Sequence, residues 1–331
     1  MKDTFGAAAA AGFPLPSGGR TQNRPNGPIG TAHIIELREG LRSLYQLDDA
    51  YGGGDVRSLA RKHLKRIERI INSARYPETI GRQLQLLAGE TAEHCGWLFY
   101  DADDQGEARR YWGQALTTAT VLGDDNLAIM VLASLSMQAC YAGRPRDGLN
   151  LARAAQERAL RYGSLMLQSL LASREARALS LMGDETAAKQ RLTESMRLAE
   201  RGERGRPSPE WAAFHGHAEL NYAQGLYYTD VGHHHSAVQF LRAALAHQDR
   251  SYGRNRALYR LTLSRSLIRA GEVDEGAAQA VESLDHLDEV ESGRVTRRLT
   301  EVTSLLREVD AVSARDAAGR LTEYADLSGA A

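Results

Sequence analysis

Hydrophobic positions recur at helical spacing along most of the chain, starting near residue 31. The first stripe ends at Gly52-Gly53-Gly54, and Asp55 is placed to cap a second helix. The members of the first stripe are Ile34, Leu37, Leu41, Leu44 and Leu47. No segment alternates with a period of two. The pattern therefore predicts an all-α protein of about thirteen helices.

From about residue 90 the predicted helices repeat as pairs. Residues 90–123, GETAEHCGWLFYDADDQGEARRYWGQALTTATVLG, read as two antiparallel helices with small and bulky residues where a tetratricopeptide-like hairpin needs them. The small residue of the second helix recurs at Ala108, Gly148, Ala188, Ala237 and Gly276, at spacings of 40, 40, 49 and 39 residues. One hairpin cannot bury its apolar face alone. We therefore expect a tetratricopeptide-like superhelical stack of helical hairpins.

Four glycines mark the turns inside these pairs. Each lies five residues before the recurring small residue, where a helix end favours a left-handed conformation. They are Gly143, Gly183, Gly232 and Gly271. The one long spacing contains GERGRPSPE at 202–210, which indicates a loop insertion, and 208–231 reads as a single helix.

Three regions follow from this patterning. Residues 1–30 are rich in proline and glycine and predict a disordered leader. Residues 31–310 form the repeat domain. Residues 311–331 are alanine-rich and weakly patterned, which predicts a frayed helix and C-terminal tail. We interpret Gly52-Gly53-Gly54 as a flexible hinge, since it lacks the Lys-Ser/Thr pair of a phosphate-binding loop.

Composition narrows the classes of protein. The chain has 331 residues, 43% hydrophobic and 25% charged, with a net charge of −1, so it is not as a whole an electrostatic binder of DNA or anionic membrane. No apolar run approaches the roughly 20 residues of a membrane span. The two cysteines, Cys95 and Cys140, fall in predicted helices without a disulfide framework, and a cytoplasmic protein is expected.

Six phrases are similar to a known family. They are LDDAYGGGDVR (47–57), GWLFYDA (96–102), GRPRDGLNLARAAQ (143–156), REARAL (174–179), PEWAAFHGHAEL (209–220) and SGRVTRRL (292–299). Together they resemble the C-terminal tetratricopeptide-like sensor region of actinobacterial xenobiotic-response-element-type helix-turn-helix transcriptional regulators. The resemblance implies a role in transcription regulation. Such regulators carry a DNA-binding domain ahead of the repeats, and the 1–30 leader is too short and too rich in proline and glycine to be one.

The first helix of each hairpin lines the concave surface in such arrays, which predicts a groove for a ligand or partner. Aromatic side chains beside carboxylates and arginines suit a peptide, a small signal or a protein partner, including a DNA-binding regulator. The alternative is that these side chains only pack helix against helix. The candidates are Glu90, Glu93, Trp97, Tyr100, Met130, Met137, Ser173, Arg177, Glu219, Tyr222, Leu226, Arg265 and Arg269.

The second predicted helix has a basic face, which leaves a second function open. This face could contact the DNA backbone in a homodimer, although arginines opposite an apolar stripe are also the ordinary solvated side of a surface helix. Direct nucleic-acid binding is disfavoured because no base-reading motif is present. The basic residues are Arg57, Arg61, Lys62, Lys65, Arg66 and Arg69.

No convergent catalytic set is visible, so we predict a protein that is not an enzyme, with no metal and no cofactor. The histidines at 233–235 are separated from His217 by a predicted helix, too far for shared coordination. His94 and Cys95 are adjacent on a helix and cannot face each other. An accessory role in a secondary-metabolite pathway remains a further alternative without a residue to support it.

Overall fold

The computed structural model describes residues 29–54, 56–202, 206–248, 253–287 and 291–329. Within these ranges the chain forms fourteen α-helices and no β-strand, which confirms the all-α class. They are α1 (Thr31–Tyr51), α2 (Val56–Ser73), α3 (Glu78–Asp101), α4 (Gln105–Leu122), α5 (Asp125–Tyr141), α6 (Pro145–Tyr162), α7 (Leu165–Leu181), α8 (Glu185–Glu200), α9 (His217–Asp230), α10 (His234–His247), α11 (Gly253–Ala270), α12 (Val273–Glu282), α13 (Gly293–Arg307) and α14 (Val312–Gly329). None of the helices described is both long and apolar enough to cross a membrane. Asp55 and most of the predicted leader lie outside the described residues.

Consecutive helices pack in pairs, and the pairs stack. The five predicted repeats are α3/α4, α5/α6, α7/α8, α9/α10 and α11/α12, with α1/α2 before them and α13/α14 after them. The first helices of successive pairs also contact one another, from α1 and α3 through to α11 and α13. The result is the expected tetratricopeptide-like stack, in which the first helices lie side by side.

Small residues let the two helices of a pair approach closely. A Cβ atom built on Gly96 in α3 would lie 2.5 Å from Cδ1 of Trp112 in α4, and Trp112 is fully buried. In the α9/α10 pair, Gly225 and Leu241 have the same relationship, again at 2.5 Å. In these two pairs the bulky partner occupies the space that the missing side chain leaves, so a glycine and a large residue pack closely across the pair.

The turn inside each pair uses a left-handed residue. The four predicted glycines have φ between 71° and 89°, which confirms the expectation. In the α3/α4 pair the equivalent position is Asp103, whose φ is 65°. Aspartate tolerates this conformation better than most residues. This substitution explains why the glycine signal is missing from the first repeat.

The C-terminal segment is a packed helix, which corrects the frayed tail predicted for 311–331. Four residues of α14 at spacings of three and four are buried against α12 and α13. They are Ala314, Ala317, Ala318 and Leu321. Three of the four are alanines, so the stripe is weak in hydrophobicity while its small side chains allow close helix contact.

Residues 208–231 do not form the single helix predicted. A 3₁₀ turn at Glu210–Ala212 precedes α9, and the chain between them folds inward. Trp211 donates from Nε1 to Oδ1 of Asn126 at 3.0 Å, and His215 is buried with Nε2 2.9 Å from Oγ of Ser169. Asn126 belongs to α5 and Ser169 to α7, so the segment before α9 packs against the two preceding hairpins.

The two ends of the superhelix meet, and this contact corrects the flexible hinge predicted at residues 52–54. Gly53 N donates to Glu291 O at 3.1 Å, and Glu291 N donates to Tyr51 O at 3.1 Å. Gly52 and Gly53 are buried, and Gly52 has φ of 77°. A Cβ on Gly52 would lie 2.6 Å from the Glu291 carbonyl oxygen. Because glycine has no side chain, the backbone at Gly52 and Gly53 can pack directly against the backbone of Glu291, where the C-terminal repeats meet the N-terminal ones.

Candidate functional site

Three buried ion pairs, formed by four side chains, join the two ends of the array. Arg254 donates from Nη1 to Oδ1 of Asp48 at 2.6 Å and lies 3.3 Å from Oδ2 of Asp101. Arg294 donates to Oδ1 of Asp101 from Nη2 at 2.7 Å and from Nε at 3.0 Å. We call Asp48, Asp101, Arg254 and Arg294 the clasp. It joins the C-terminal ends of α1 and α3 to the N-terminal ends of α11 and α13.

The clasp is shielded from water. The exposed fraction of the side chain is 5% for Asp48, 0% for Asp101, 7% for Arg254 and 10% for Arg294. Burial by itself would raise the pKa of Asp101, but the Arg254 and Arg294 guanidinium groups and Ser292 outweigh it and hold this pKa below its ordinary value. Asp101 is therefore ionised near neutral pH. Removing one member would leave its partner buried without a countercharge, which would lower the free energy of unfolding by about 3–5 kcal/mol.

Trp97, a predicted groove residue, contacts three of the four clasp side chains. Its indole Nε1 donates to Oδ2 of Asp48 at 2.9 Å. The Cζ atoms of Arg254 and Arg294 lie 5.5 and 5.0 Å from the centre of the Trp97 ring, within cation–π range. Trp97 thus holds the two ends of the superhelix together.

The other predicted groove residues of α3 pack between helices. Glu93 is buried and accepts from Oγ of Ser134 at 2.9 Å, and burial raises its pKa to about 7. Tyr100 is buried, with the Arg294 Cζ 4.9 Å from its ring centre. Glu90 is half-buried and pairs with Arg38 of α1 at 3.7 Å. Because α1 and the start of α13 cover α3, this part of the concave surface is closed.

The predicted groove residues of α5 and α7 are only partly covered. Met130, Met137 and Ser173 are half-buried, and Met137 packs against the N-terminal core. Arg177 is half-buried and forms an ion pair with Asp230, the last residue of α9.

On α9 and α11 an aromatic platform stands beside arginines. Tyr222 stacks on the buried Tyr259, with ring centres 4.0 Å apart and planes inclined by 15°. The Tyr259 hydroxyl donates to Glu219, and the Tyr222 hydroxyl lies 3.2 Å from Oγ1 of Thr262. These bonds fix both rings. The remaining predicted residues are the half-buried Leu226 and Arg265 and the exposed Arg269.

Arginines from separate first helices converge beside this platform. Burial lowers the pKa of Arg177 on α7, and repulsion from Arg298 on α13 and from Arg265 on α11 lowers it further. The pKa of Arg265 is lowered in the same way, by burial and then by Arg298 and, more weakly, by Arg269. We call Arg177, Arg265, Arg269 and Arg298 the arginine patch. The four arginines stand on the first helices of their pairs, in the layer where α7, α9, α11 and α13 pack side by side.

Sequence reasoning missed Arg298 and the four clasp residues, although a signal for the clasp exists. Acidic residues at a helix C-terminus and basic residues at an N-terminus oppose the helix dipole. Asp101 ends α3, whereas Arg254 and Arg294 are each second in their helices. Three of the family-like phrases, 47–57, 96–102 and 292–299, also meet at the clasp. Both facts indicate long-range partners, but neither identifies which residues pair.

The basic face of α2 remains on the surface. Arg66 pairs with Glu36 at 2.6 Å, and Arg57 donates from Nε to Gly54 O at 3.0 Å. The others are exposed and form no salt bridge with any residue described. They are Arg61, Lys62, Lys65 and Arg69.

The cysteines and histidines do not assemble a reactive centre in the described ranges. Cys95 and Cys140 are free and buried, and burial raises the pKa of the Cys95 thiol to about 12, which disfavours the nucleophilic thiolate. His233 precedes α10 as its N-terminal cap residue, and His235 lies 3.7 Å from Oε1 of Glu272. No group of three or more His, Cys, Asp or Glu side chains there could hold a metal ion.

Comparison with known proteins shows similarity of fold. No family model and no curated protein matches the sequence. A Rap protein solved in complex with competence and sporulation factor matches with a TM-score of 0.53 and 11% identity, covering 89% of this chain and 97% of that one. The apo form of RapI gives a TM-score of 0.46 at 11% identity, covering 87% and 86%. The chain therefore shares the tetratricopeptide-like helical-repeat fold of the Rap protein.

Proposed function

We propose that this chain is a regulatory protein that holds a peptide on its concave surface and performs no covalent chemistry. The observation that carries the proposal is the Tyr222–Tyr259 stack. Tyr222 is half-buried, and hydrogen bonds from Tyr259 to Glu219 and between Tyr222 and Thr262 hold the platform rigid. A rigid aromatic anchor contributes affinity because little side-chain freedom is lost on binding.

The surroundings of the platform suit a peptide. Leu226 supplies a half-buried apolar contact, and Arg177 and Arg265 supply charged donors on the neighbouring first helices. The Rap protein of similar fold was solved with competence and sporulation factor, which supports proposing a bound signal here. The phrases similar to sensor regions of transcriptional regulators support a role in transcription control in the cytoplasm, exerted through a DNA-binding partner.

The test compares tyrosines inside and outside the platform. Purified protein is incubated with a random hexapeptide pool, and retained peptides are detected by native mass spectrometry. Tyr222→Ala should lose them at unchanged helical content by circular dichroism. Tyr162→Ala is the matched control, because Tyr162 is half-buried at the end of α6, away from the platform. Retention that is equal in both variants, or absent in the wild type, would contradict the proposal.

The exposed basic face of α2 supports one competing function, direct binding to the DNA backbone. Arg61, Lys62, Lys65 and Arg69 are free to contact phosphates. A mobility-shift titration across salt concentrations distinguishes the two functions. Phosphate contacts would weaken steeply with salt, and changing Lys62 and Lys65 to Gln would flatten that slope.

A further inference from the structure

The arginine patch holds more positive charge than its neighbours neutralise. Arg177 pairs with Asp230, and Arg298 lies 3.5 Å from Oε2 of Glu301. Arg265 and Arg269 have no carboxylate within salt-bridge distance in the part of the chain that is described. The chain as a whole has a net charge of −1, so this positive charge is a local feature of the concave surface.

Burial and repulsion from Arg298 lower the pKa of Arg265, and the attraction of Glu301, which forms no salt bridge with Arg265, relieves this only in part. Burial lowers the pKa of His234, at the start of α10, and Arg265 and Arg269 lower it further. The imidazole beside these two arginines is therefore held neutral and adds no further positive charge. Because like charges are held together at a partly buried site, an added anion would gain attraction from several guanidinium groups at once.

Buried donors also point toward an oxygen-bearing ligand. Nη1 of Arg298 and Nε of Arg174, one turn before Arg177 on α7, are buried and form no hydrogen bond with the described residues. A buried donor without a partner costs about 1–3 kcal/mol. Guanidinium groups match carboxylates in geometry, because two parallel N–H groups can donate to the two oxygens.

We infer that the arginine patch binds the carboxylate groups of a peptide whose apolar part rests on the Tyr222–Tyr259 platform. The carboxylate belongs to an acidic side chain or to the free C-terminus, which present the same chemistry to arginine. This inference rests on the proposed function and adds that the bound peptide carries a negatively charged group.

The experiment uses four random hexapeptide pools, prepared with or without Asp and Glu and with a free or an amidated C-terminus. Each pool is passed over immobilised full-length protein at matched ionic strength, and the retained fraction is quantified. The pools that carry carboxylates should be retained at least tenfold more than the amidated pool without Asp and Glu. The two pools with a single source of carboxylate show whether side chains or the C-terminus are recognised.

Variants locate the binding. Arg265→Gln should reduce retention of the carboxylate pools to the level of the amidated pool without Asp and Glu. Arg269→Gln, at an exposed position, should reduce it severalfold without disturbing the fold. Arg161→Gln is the control, since Arg161 is exposed on α6 outside the patch and pairs with Asp125.

The outcomes separate the two proposals. Equal retention of all four pools, lost in Tyr222→Ala, would overturn the carboxylate inference and leave peptide binding intact. Strong retention of carboxylate pools that survives both Arg265→Gln and Arg269→Gln would also overturn it. If no pool is retained, the proposed function fails and the inference fails with it.

Discussion

Arg254 reaches Asp48 across 206 residues of sequence, with its Nη1 2.6 Å from Oδ1 and both side chains buried. In most helical-repeat arrays each unit contacts only its neighbours. Here the last units also contact the first through the clasp and through the backbone pairing of Gly53 and Glu291. Stability therefore depends on a contact that no single repeat contains.

Asp101→Asn should destabilise the protein by about 3–5 kcal/mol, because Arg254 and Arg294 would stay buried with reduced countercharge. The shift of the urea unfolding midpoint measures the effect. The control is Asp125→Asn, which removes a half-exposed carboxylate near Arg158 and Arg161 and should cost less than about 1 kcal/mol. Equal shifts for the two variants would show that the clasp does not hold the ends together.

Gly96→Ala should cost about 1–3 kcal/mol, because the added methyl group would lie 2.5 Å from the buried Trp112 ring. Gly113→Ala is a matched change on the partner helix α4. Nothing lies within 4 Å of a Cβ there, so the higher helix propensity of alanine should stabilise by about 0.5–1 kcal/mol. Opposite shifts in thermal unfolding temperature are expected, and a stabilising Gly96→Ala would contradict the proposed close packing.

Leu321→Ala should cost about 2–5 kcal/mol, because Leu321 is 0% exposed in the core between α13 and α14. Leu327→Ala, six residues later on the same helix, changes a side chain that is 69% exposed and should shift stability by less than about 0.5 kcal/mol. Chemical denaturation of both variants measures the difference. Small and equal losses of stability in the two variants would contradict the packed helix and support the frayed tail expected from the sequence.

Glu93→Gln should change how stability depends on pH. Burial raises the folded-state pKa of Glu93 from 4.5 to about 7, so the folded protein holds more protons between these values. The contribution of Glu93 to the free energy of unfolding is therefore most favourable below pH 4.5 and is lost as the pH rises to 7. Glutamine keeps an oxygen that accepts from Ser134 and cannot ionise.

The free energy of unfolding of Glu93→Gln, relative to that of the wild type, should therefore rise by roughly 2–3 kcal/mol when the pH is raised from 5 to 8. Urea unfolding at these two pH values gives the comparison. Parallel curves for the two proteins would mean that Glu93 titrates normally.

The repeat architecture could be predicted from sequence because its causes are local. Helical spacing, the small residue of each second helix and the turn glycines at 143, 183, 232 and 271 all act within one hairpin. Asp103 occupies the equivalent position in the first repeat and adopts the same left-handed conformation. The alanine stripe of α14 was missed because small residues give little hydrophobic contrast while packing closely.

The candidate site could be predicted only in part, because concave position depends on how the pairs stack. Repeat offsets place Trp97 and Arg177 at equivalent positions, yet Trp97 packs against the clasp and Arg177 belongs to the arginine patch. The difference arises because α13 returns to cover α3, which depends on the pitch of the whole superhelix. No local pattern encodes that pitch.

The return of Glu291 to the backbone beside Gly52 also restricts how this chain can evolve. An open array can gain or lose a forty-residue module by duplication or deletion, since every new neighbour resembles the old one. In this chain an extra module would carry Arg254 and Arg294 past the carboxylates that receive them. The number of hairpins is consequently fixed by geometry, and homologues with an intact clasp should share the same count.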